Sequence, residues 1–234
     1  MIYYDLHIHS CLSPCANDDM TLNNIANMAK LKGLDLISLT DHNSLLNSLN
    51  MAKVCKKVKI NYLYGVELQT IEEVHVLAYF IKENDVINFQ KYIEKNLVFI
   101  KNNTSYFGKQ IVLDVNDKKL SEVDYLLLTS LNVSIEDLIL EIHNCHGKAV
   151  LAHALKKKNS IISQLGFIPK KLAYDAIEVK NTLELKYLTD NLLITNKKIN
   201  FFISSDAHQL IDINERINYK SQDFIKDFFG CETI

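Results

Sequence analysis

A chain of 234 residues, 48% hydrophobic and 23% charged, has the composition of a soluble globular protein and is long enough to bury a core without staples. Its formal net charge of −2 lacks the broad basic field of a duplex-DNA binder, leaving small anions or locally gripped single strands as partners. Five cysteines without paired spacing, no charged start running into an apolar stretch and no bilayer-length segment exclude a disulfide scaffold and a membrane partner, and place the chain in the reduced cytoplasm.

Ile2 to His9 reads as a buried strand that ends in Asp5-Leu-His-Ile-His9. His7 and His9 stand at i and i+2, so a strand points both to one face. Leu22 to Lys32 is amphipathic, with Thr21 as its cap and Gly33 as its stop. Leu34 to Leu39 is a second strand, followed by Thr40-Asp41-His42-Asn43 and a helix over Ser44 to Lys57. Ile60 to Leu68 is a strand with Glu67 near its end, and His75 lies in the return strand Val74 to Ile81. Asp85 to Lys101 is helical, and 102–130 reads as a cap or insertion bordering a site. Ser134-Ile-Glu-Asp137 opens a helix to about His146 as a capping box. Short apolar runs at Ala149–Ala152, Ala176–Val179 and Phe201–Ser204 follow, the first and last leading into His153 and Ser205-Asp206-Ala207-His208. Alternating strands and helices predict a parallel sheet covered by helices. Ligands drawn from the first strand to the last favour a closed barrel, where all C-terminal strand ends converge.

A lone histidine in an apolar strand is more often a satisfied core residue than a ligand. Six of eight at strand ends call for a common cause, because polar groups are costly to bury unless something binds them. His143 and His146, at i and i+3 on one helix, are left to the surface. His7, His9, His42, His75, His153, His208, Glu67 and Asp206, with one acid from Asn17-Asp18-Asp19, make nine ligands. At about three protein ligands per catalytic ion and one shared carboxylate, that set serves three ions. Cys11 and Cys15 follow the His pair closely enough to contribute a thiol, in competition with the histidines and carboxylates. The other cysteines are core fillers.

These blocks, in this order, resemble the PHP (polymerase and histidinol phosphatase) family over nearly the whole chain, its small stand-alone members above all. The resemblance implies a distorted seven-stranded TIM-like β/α barrel as a single domain over 1–234, a trinuclear metal centre and phosphoesterase chemistry. It assigns His7, His9, Glu67 and Asp206 to a first ion. Glu67 bridges to a second with His75 and His153, and His42 and His208 hold a third with an acid, placed at Asp19 rather than Asp18. Zinc, manganese and iron all suit such donors. Asp5 and Asp41 would orient imidazoles or assist proton transfer. Related members often carry Asp and Arg beyond the histidine matched by His153. Here Ala154-Leu155-Lys156 follows, and Lys156 to Lys158 are either a partial substitute or a solvated surface turn. Arg216, the one arginine, is a further phosphate contact or a structural ion-pair partner.

The implied reaction is hydrolysis of a phosphate ester by a metal-activated hydroxide attacking phosphorus. A small phosphomonoester, a nucleotide or an oligonucleotide end is the first choice of substrate. Histidinol phosphate is the alternative within the family, and a non-catalytic metal-binding regulatory module and an amidohydrolase are the rivals outside it. A nuclease would need aromatic stackers, for which Tyr62, Tyr64, Tyr79 and Tyr106 are candidates, with core packing the expected role of most of them.

Overall fold

The computed structural model describes residues 1–191, 193–194 and 199–231. In chain order the strands are β1 (Ile2–Ile8), β2 (Leu36–Leu39), β3 (Asn61–Gln69), β4 (His75–Phe80), β5 (Ile111–Leu113), β6 (Lys119–Glu122), β7 (Lys148–Leu151), β8 (Ala176–Glu178), β9 (Asn200–Phe202) and β10 (Tyr219–Lys220). All but β5 and β6 form one eight-stranded sheet in the order β10-β1-β2-β3-β4-β7-β8-β9. Past β9 the chain reaches β1 again. The His9 N–H donates to Ala207 O at 2.9 Å and the Ala207 N–H to His7 O at 3.2 Å, closing the TIM-like barrel at the rim that carries the ligands.

The sheet is mixed, not wholly parallel as the alternation predicts. β4 runs antiparallel to both β3 and β7, while β1–β2–β3 and β7–β8–β9 are parallel. The short Thr70–Val74 turn explains the reversal, since a parallel connection needs a crossover of a dozen residues or more. His75 opens β4 and so lies on the same rim as residues that end the parallel strands.

β1 has a register irregularity between Asp5 and Ile8. Before it, Tyr4 and Leu6 pack inside the barrel with Leu36, Leu63, Leu77 and Phe202. After it, Ile8 packs outward with Ile37 and α1 (Leu22–Leu31), and His7 and His9 turn inward. A bulge that re-aims side chains beside a site is a recurrent use of this feature. Thr21 caps α1 by accepting from the Asn24 N–H, and Leu22, Ile25, Ala26 and Ala29 form its buried stripe. α2 (Ser48–Val58) starts later than predicted, because Asp41 to Asn47 are held in a loop between the sheet and the Ile111–Leu113 segment. α3 (Glu83–Asn96) ends early. Leu97 and Lys101 bridge to Leu131 and Tyr125, as suits the β-prone Leu97-Val-Phe-Ile100.

Between Asn102 and Ser130 lie the short α4 (Thr104–Phe107) and the β5–β6 hairpin, a two-stranded sheet of its own. Val112, Val123 and Leu127 form a small core with Leu12 from the loop after β1. The same loop meets Gly108, where an added Cβ would stand 2.6 Å from Pro14 O. α5 (Ile135–Asn144) begins at Ser134, which accepts from the Asp137 N–H, and α6 (Ile161–Leu165) and α7 (Thr182–Asp190) follow. α8 (Gln222–Phe229) buries Ile225, Phe228 and Phe229 against the barrel interior. No helix among the described residues is long and apolar enough to cross a membrane.

Gly65 lets β2 and β3 approach two residues before Glu67. A Cβ there would run into Ser38 Oγ and stand 2.8 Å from Thr40 Cγ2 and 3.0 Å from Leu39 O. Gly65→Ala is expected to cost about 1–3 kcal/mol through overpacking, measured as a lower urea midpoint at unchanged slope.

Candidate metal centre

Every parallel barrel strand except β9 carries a polar side chain at this rim, or leads into one within two residues. His7 and His9 come with β1, Asp41 and His42 follow β2, Glu67 stands late in β3, and Glu178 ends β8. His153 follows β7, and Asp206 and His208 follow β9 through Ile203–Ser205. The β2 loop is fixed against β3 by Asn43 N–H to Glu67 O at 2.8 Å and Glu67 N–H to Asp41 O at 3.2 Å. His153 (φ 29) and Asp206 (φ 55) hold left-handed backbone that non-glycine residues rarely adopt, which is common where a site dictates side-chain direction.

Glu67 is the hub and is 1% exposed, so its charge has no solvent to answer it. Its two oxygens face different histidines. Oε2 lies 3.4 Å from His7 Nε2, 3.4 Å from His9 Nε2 and 3.1 Å from His42 Nδ1. Oε1 lies 2.8 Å from His75 Nδ1 and 3.0 Å from His153 Nε2. Asp206 Oδ1 completes the first set at 3.4 Å from His7 Nε2 and 3.3 Å from His9 Nε2.

Hydrogen-bond bookkeeping fixes two tautomers. His7 Nδ1 faces both oxygens of Glu178 at 3.1 and 3.0 Å; a carboxylate only accepts, so Nδ1 carries the proton. Ser13 Oγ donates its one hydrogen to Asp41 Oδ1 at 2.7 Å and accepts from the His42 N–H, so His9 Nδ1 at 3.1 Å must donate to it. Both Nε2 atoms, 3.1 Å apart, then present lone pairs to each other and to Glu67 and Asp206. His7, His9, Glu67 and Asp206 each offer a donor atom to a metal within 4.8 Å of the others. Four converging acceptors need a cation between them, and the donor set fits a divalent metal.

Protons compete for that place. Burial alone would lower His7, but Glu178, Glu67 and Asp206 together hold it well above its ordinary range. Burial keeps His42 well below that range, and burial with His9 nearby brings His208 down to about 4. His42 and His208 are therefore neutral and ready at pH 7, whereas His7 must lose a proton to bind. Since the raised pKa favours the protonated, metal-free form, zinc affinity is expected to rise with pH through neutrality. Calorimetric titration in buffers of differing ionisation enthalpy should show protons released on binding. Equal affinity on either side of neutrality with no proton release would contradict the assignment.

The structure gathers His7, His9, His42, Glu67, His75, His153, Asp206 and His208 at one place. Asp5 and Asp41 are buried beside them and touch no imidazole. Asp5 accepts from the Ser205 and Asn214 N–H groups, and Asp41 acts on His9 only through Ser13. Lys156 Nζ sits 2.6 Å from Asp206 Oδ2 at the open edge. Two expectations need correction. Asp19 is exposed and joins none of the converging groups, while Asp18 turns outward to Lys109 at 3.8 Å. Cys15 stands there instead, its Sγ grouped within 4.8 Å with donor atoms of His9, His42 and His208. The crowded surroundings of its sulfur and then Glu67 push its free thiol up to about 12, although the residue is exposed at the surface. Arg216 is nowhere near the rim. It stacks 4.3 Å from the Tyr3 ring and packs on Gly33, toward the start of β1, and so cannot hold a phosphate there. Tyr62 and Tyr79 are bonded within the core, to Ser48 and Leu6 O, and are not stackers. His143 pairs with Asp175 at 2.8 Å, and His146 lies exposed near Asp85.

Glu178 is the functional residue the sequence reading missed. Besides holding His7, it accepts from the His153 N–H at 2.9 Å. A carboxylate inside the apolar run Ala176-Ile-Glu-Val179 repeats the signal that singled out Glu67. Asn159, whose amide lies 2.9 Å from His75 Nε2, gave no such signal.

The PHP domain family model matches residues 5–156. Among solved structures, an assigned metal-dependent phosphoesterase from Bifidobacterium adolescentis aligns with TM-score 0.66 at 13% identity, over 97% of this chain and 95% of its own. An amidohydrolase from Chromobacterium violaceum with bound sulfate gives 0.63 at 18%, over 97% and 96%. The lesion-specific endonuclease Q from Pyrococcus furiosus gives 0.62 at 19%, over 89% of this chain and 49% of its own, so the chain spans about half that protein's length. Endonuclease Q in complex with a 27-mer duplex bearing an abasic lesion is similar at 0.58 and 19%, over 90% and 50%. These likenesses carry the fold. The comparison with curated proteins gives no significant match.

Proposed function

Since the chain belongs to the PHP domain family, matched over more than half its length, we propose that it is a metal-dependent phosphoesterase acting on a small phosphorylated substrate. The observation that carries this reading is the convergence of His7 Nε2, His9 Nε2, Glu67 Oε2 and Asp206 Oδ1 on one place, which only a proton or a metal cation can share with them. His7, His9, Glu67 and Asp206 would hold one divalent ion. Glu67 would share a second with His75 and His153, and His42 and His208 would hold a third. Bound ions supply a water acidified towards neutrality and positive charge against the phosphoryl oxygens.

The chain's own groups do the rest. Glu178 and Ser13 fix the tautomers of His7 and His9, and Asp41 fixes Ser13. Lys156 holds the second oxygen of Asp206 and borders a cavity of about 530 Å³ with His153, Lys157 and Lys180. That volume suits one small ligand, and its wall sets Lys156, Lys157 and Lys180 beside Glu178, Glu184 and Asp206, so an anion would be drawn by bound metal together with the lysines. A nucleotide, a 3′-phosphate or an oligonucleotide end fits this description, as does histidinol phosphate. The near-neutral net charge does not by itself exclude duplex DNA, since a structural neighbour acts on it.

The test is a substrate panel on protein purified without chelator, paired with elemental analysis. It should include p-nitrophenyl phosphate and its bis-ester, nucleoside mono- and bisphosphates, histidinol phosphate, a single-stranded oligonucleotide and an abasic duplex. Turnover of phosphate esters that chelator abolishes is expected. Metal-loaded protein that hydrolyses none of them, or that cleaves N-acyl substrates instead, would remove the proposal.

A further inference from the structure

The loop after β1 carries a donor that the carboxylates around it do not supply. Asp18 and Asp19 point away, and Cys15 is the residue of this loop whose Sγ enters the group formed with His9, His42 and His208. The loop is clamped on several sides. The Asn17 N–H donates to His208 O at 3.0 Å, the Ile111 N–H to Cys11 O at 2.9 Å, and the Ser13 hydroxyl joins Asp41, His9 and the His42 backbone. Cys15 therefore stands on a fixed segment that touches all three of its partners.

We propose that Cys15 is a direct thiolate ligand of the third ion, completing a Cys15–His42–His208 set that selects thiophilic metals. This rests on reading the rim as a metal centre. His9 is assigned elsewhere, because Nδ1–H is committed to Ser13 and the remaining Nε2 lone pair points at the Glu67–Asp206 group. Two neutral imidazoles and one sulfur give a three-ligand site with a position left open, the arrangement of catalytic zinc. His208 Nδ1–H donates to Asp206 O at 2.7 Å, leaving its Nε2 as the metal-facing atom. Binding releases the thiol proton to solvent and forms a metal–sulfur bond. Sulfur in place of a carboxylate shifts preference toward zinc, iron(II), cobalt(II) and cadmium and away from manganese and magnesium.

Cobalt(II) loading of the full chain tests this directly. A near-ultraviolet thiolate-to-cobalt charge-transfer band is expected in the wild type and not in Cys15→Ser. Cys15→Asp should restore the third ion with manganese but without the band. In parallel, zinc should slow iodoacetamide modification of Cys15 at least about tenfold, read by peptide mass spectrometry. Cys11, Cys55 and Cys231 are buried and Cys145 half-buried, so Cys15 is the exposed thiol the reagent reports. A chain that takes up no ion would remove the metal centre itself. Ions bound without the band, and with Cys15 modified as fast as in the metal-free chain, would overturn the thiolate ligand alone.

Discussion

Glu67→Gln is expected to lower phosphoesterase activity by more than about 100-fold, beyond the range for losing an outer partner of a metal ligand. Glu67 answers five imidazoles with two oxygens, so one neutralised carboxylate weakens both groups of ligands at once. The substitution keeps side-chain shape, so the metal-free protein should still fold. What it should lose is metal-linked stability. Wild-type protein with each ion at 100 times its dissociation constant gains about 2.7 kcal/mol per site, and the variant should lose most of that gain at the two sites Glu67 would share. Melting curves with and without chelator read this out, alongside elemental analysis. A variant that keeps three ions and its rate would show that Glu67 is a buried ion-pair partner and nothing more.

Glu178→Gln is the second large effect, expected at about 10–100-fold in metal affinity or turnover. Glu178 is 3% exposed and does two things. It fixes the His7 proton on Nδ1 so that Nε2 faces inward, and it accepts the backbone N–H of His153. Glutamine can still accept from one of these but brings a donor toward His7 Nδ1, favouring the tautomer that blocks the inward nitrogen. The effect should therefore fall on metal affinity, and raising the metal concentration should rescue much of the turnover. Loss of rate without change in affinity would place Glu178 in the reaction instead.

The converging side chains are legible because the physics that would make them metal ligands also makes them conspicuous. A histidine or carboxylate in an apolar strand is costly unless bound, and His7, His9 and Glu67 sit in or directly beside such strands. Glu178 stands in the same kind of run, a short one of four residues, Ala176-Ile-Glu-Val179. The helix-covered sheet followed from alternation and its closure from the spread of polar strand ends, but the direction of β4 did not, since it turns on the length of one short connection. The bulge in β1 is a pairing property with no composition of its own. Yet without it His7 would share the outward face of Ile8's layer. The choice between Cys15 and Asp19 depended on how a loop of turn-forming residues folds back on the β5–β6 hairpin. Arg216 lay close to His208 along the chain, and only the path of the segment after it, back to the start of β1, separates them.

His153 carries two liabilities at once: a backbone angle suited to glycine and a buried Nδ1 without a hydrogen-bond partner. Strained angles of this kind cost about 1–3 kcal/mol each, and Asp206 shares the first burden. A library of this gene sorted for heat resistance alone would therefore drift toward smaller residues at both positions and enrich for robust, inert protein. Evolution in the laboratory for durability has to be coupled to a catalytic screen, because here toughness and chemistry pull the same two residues in opposite directions.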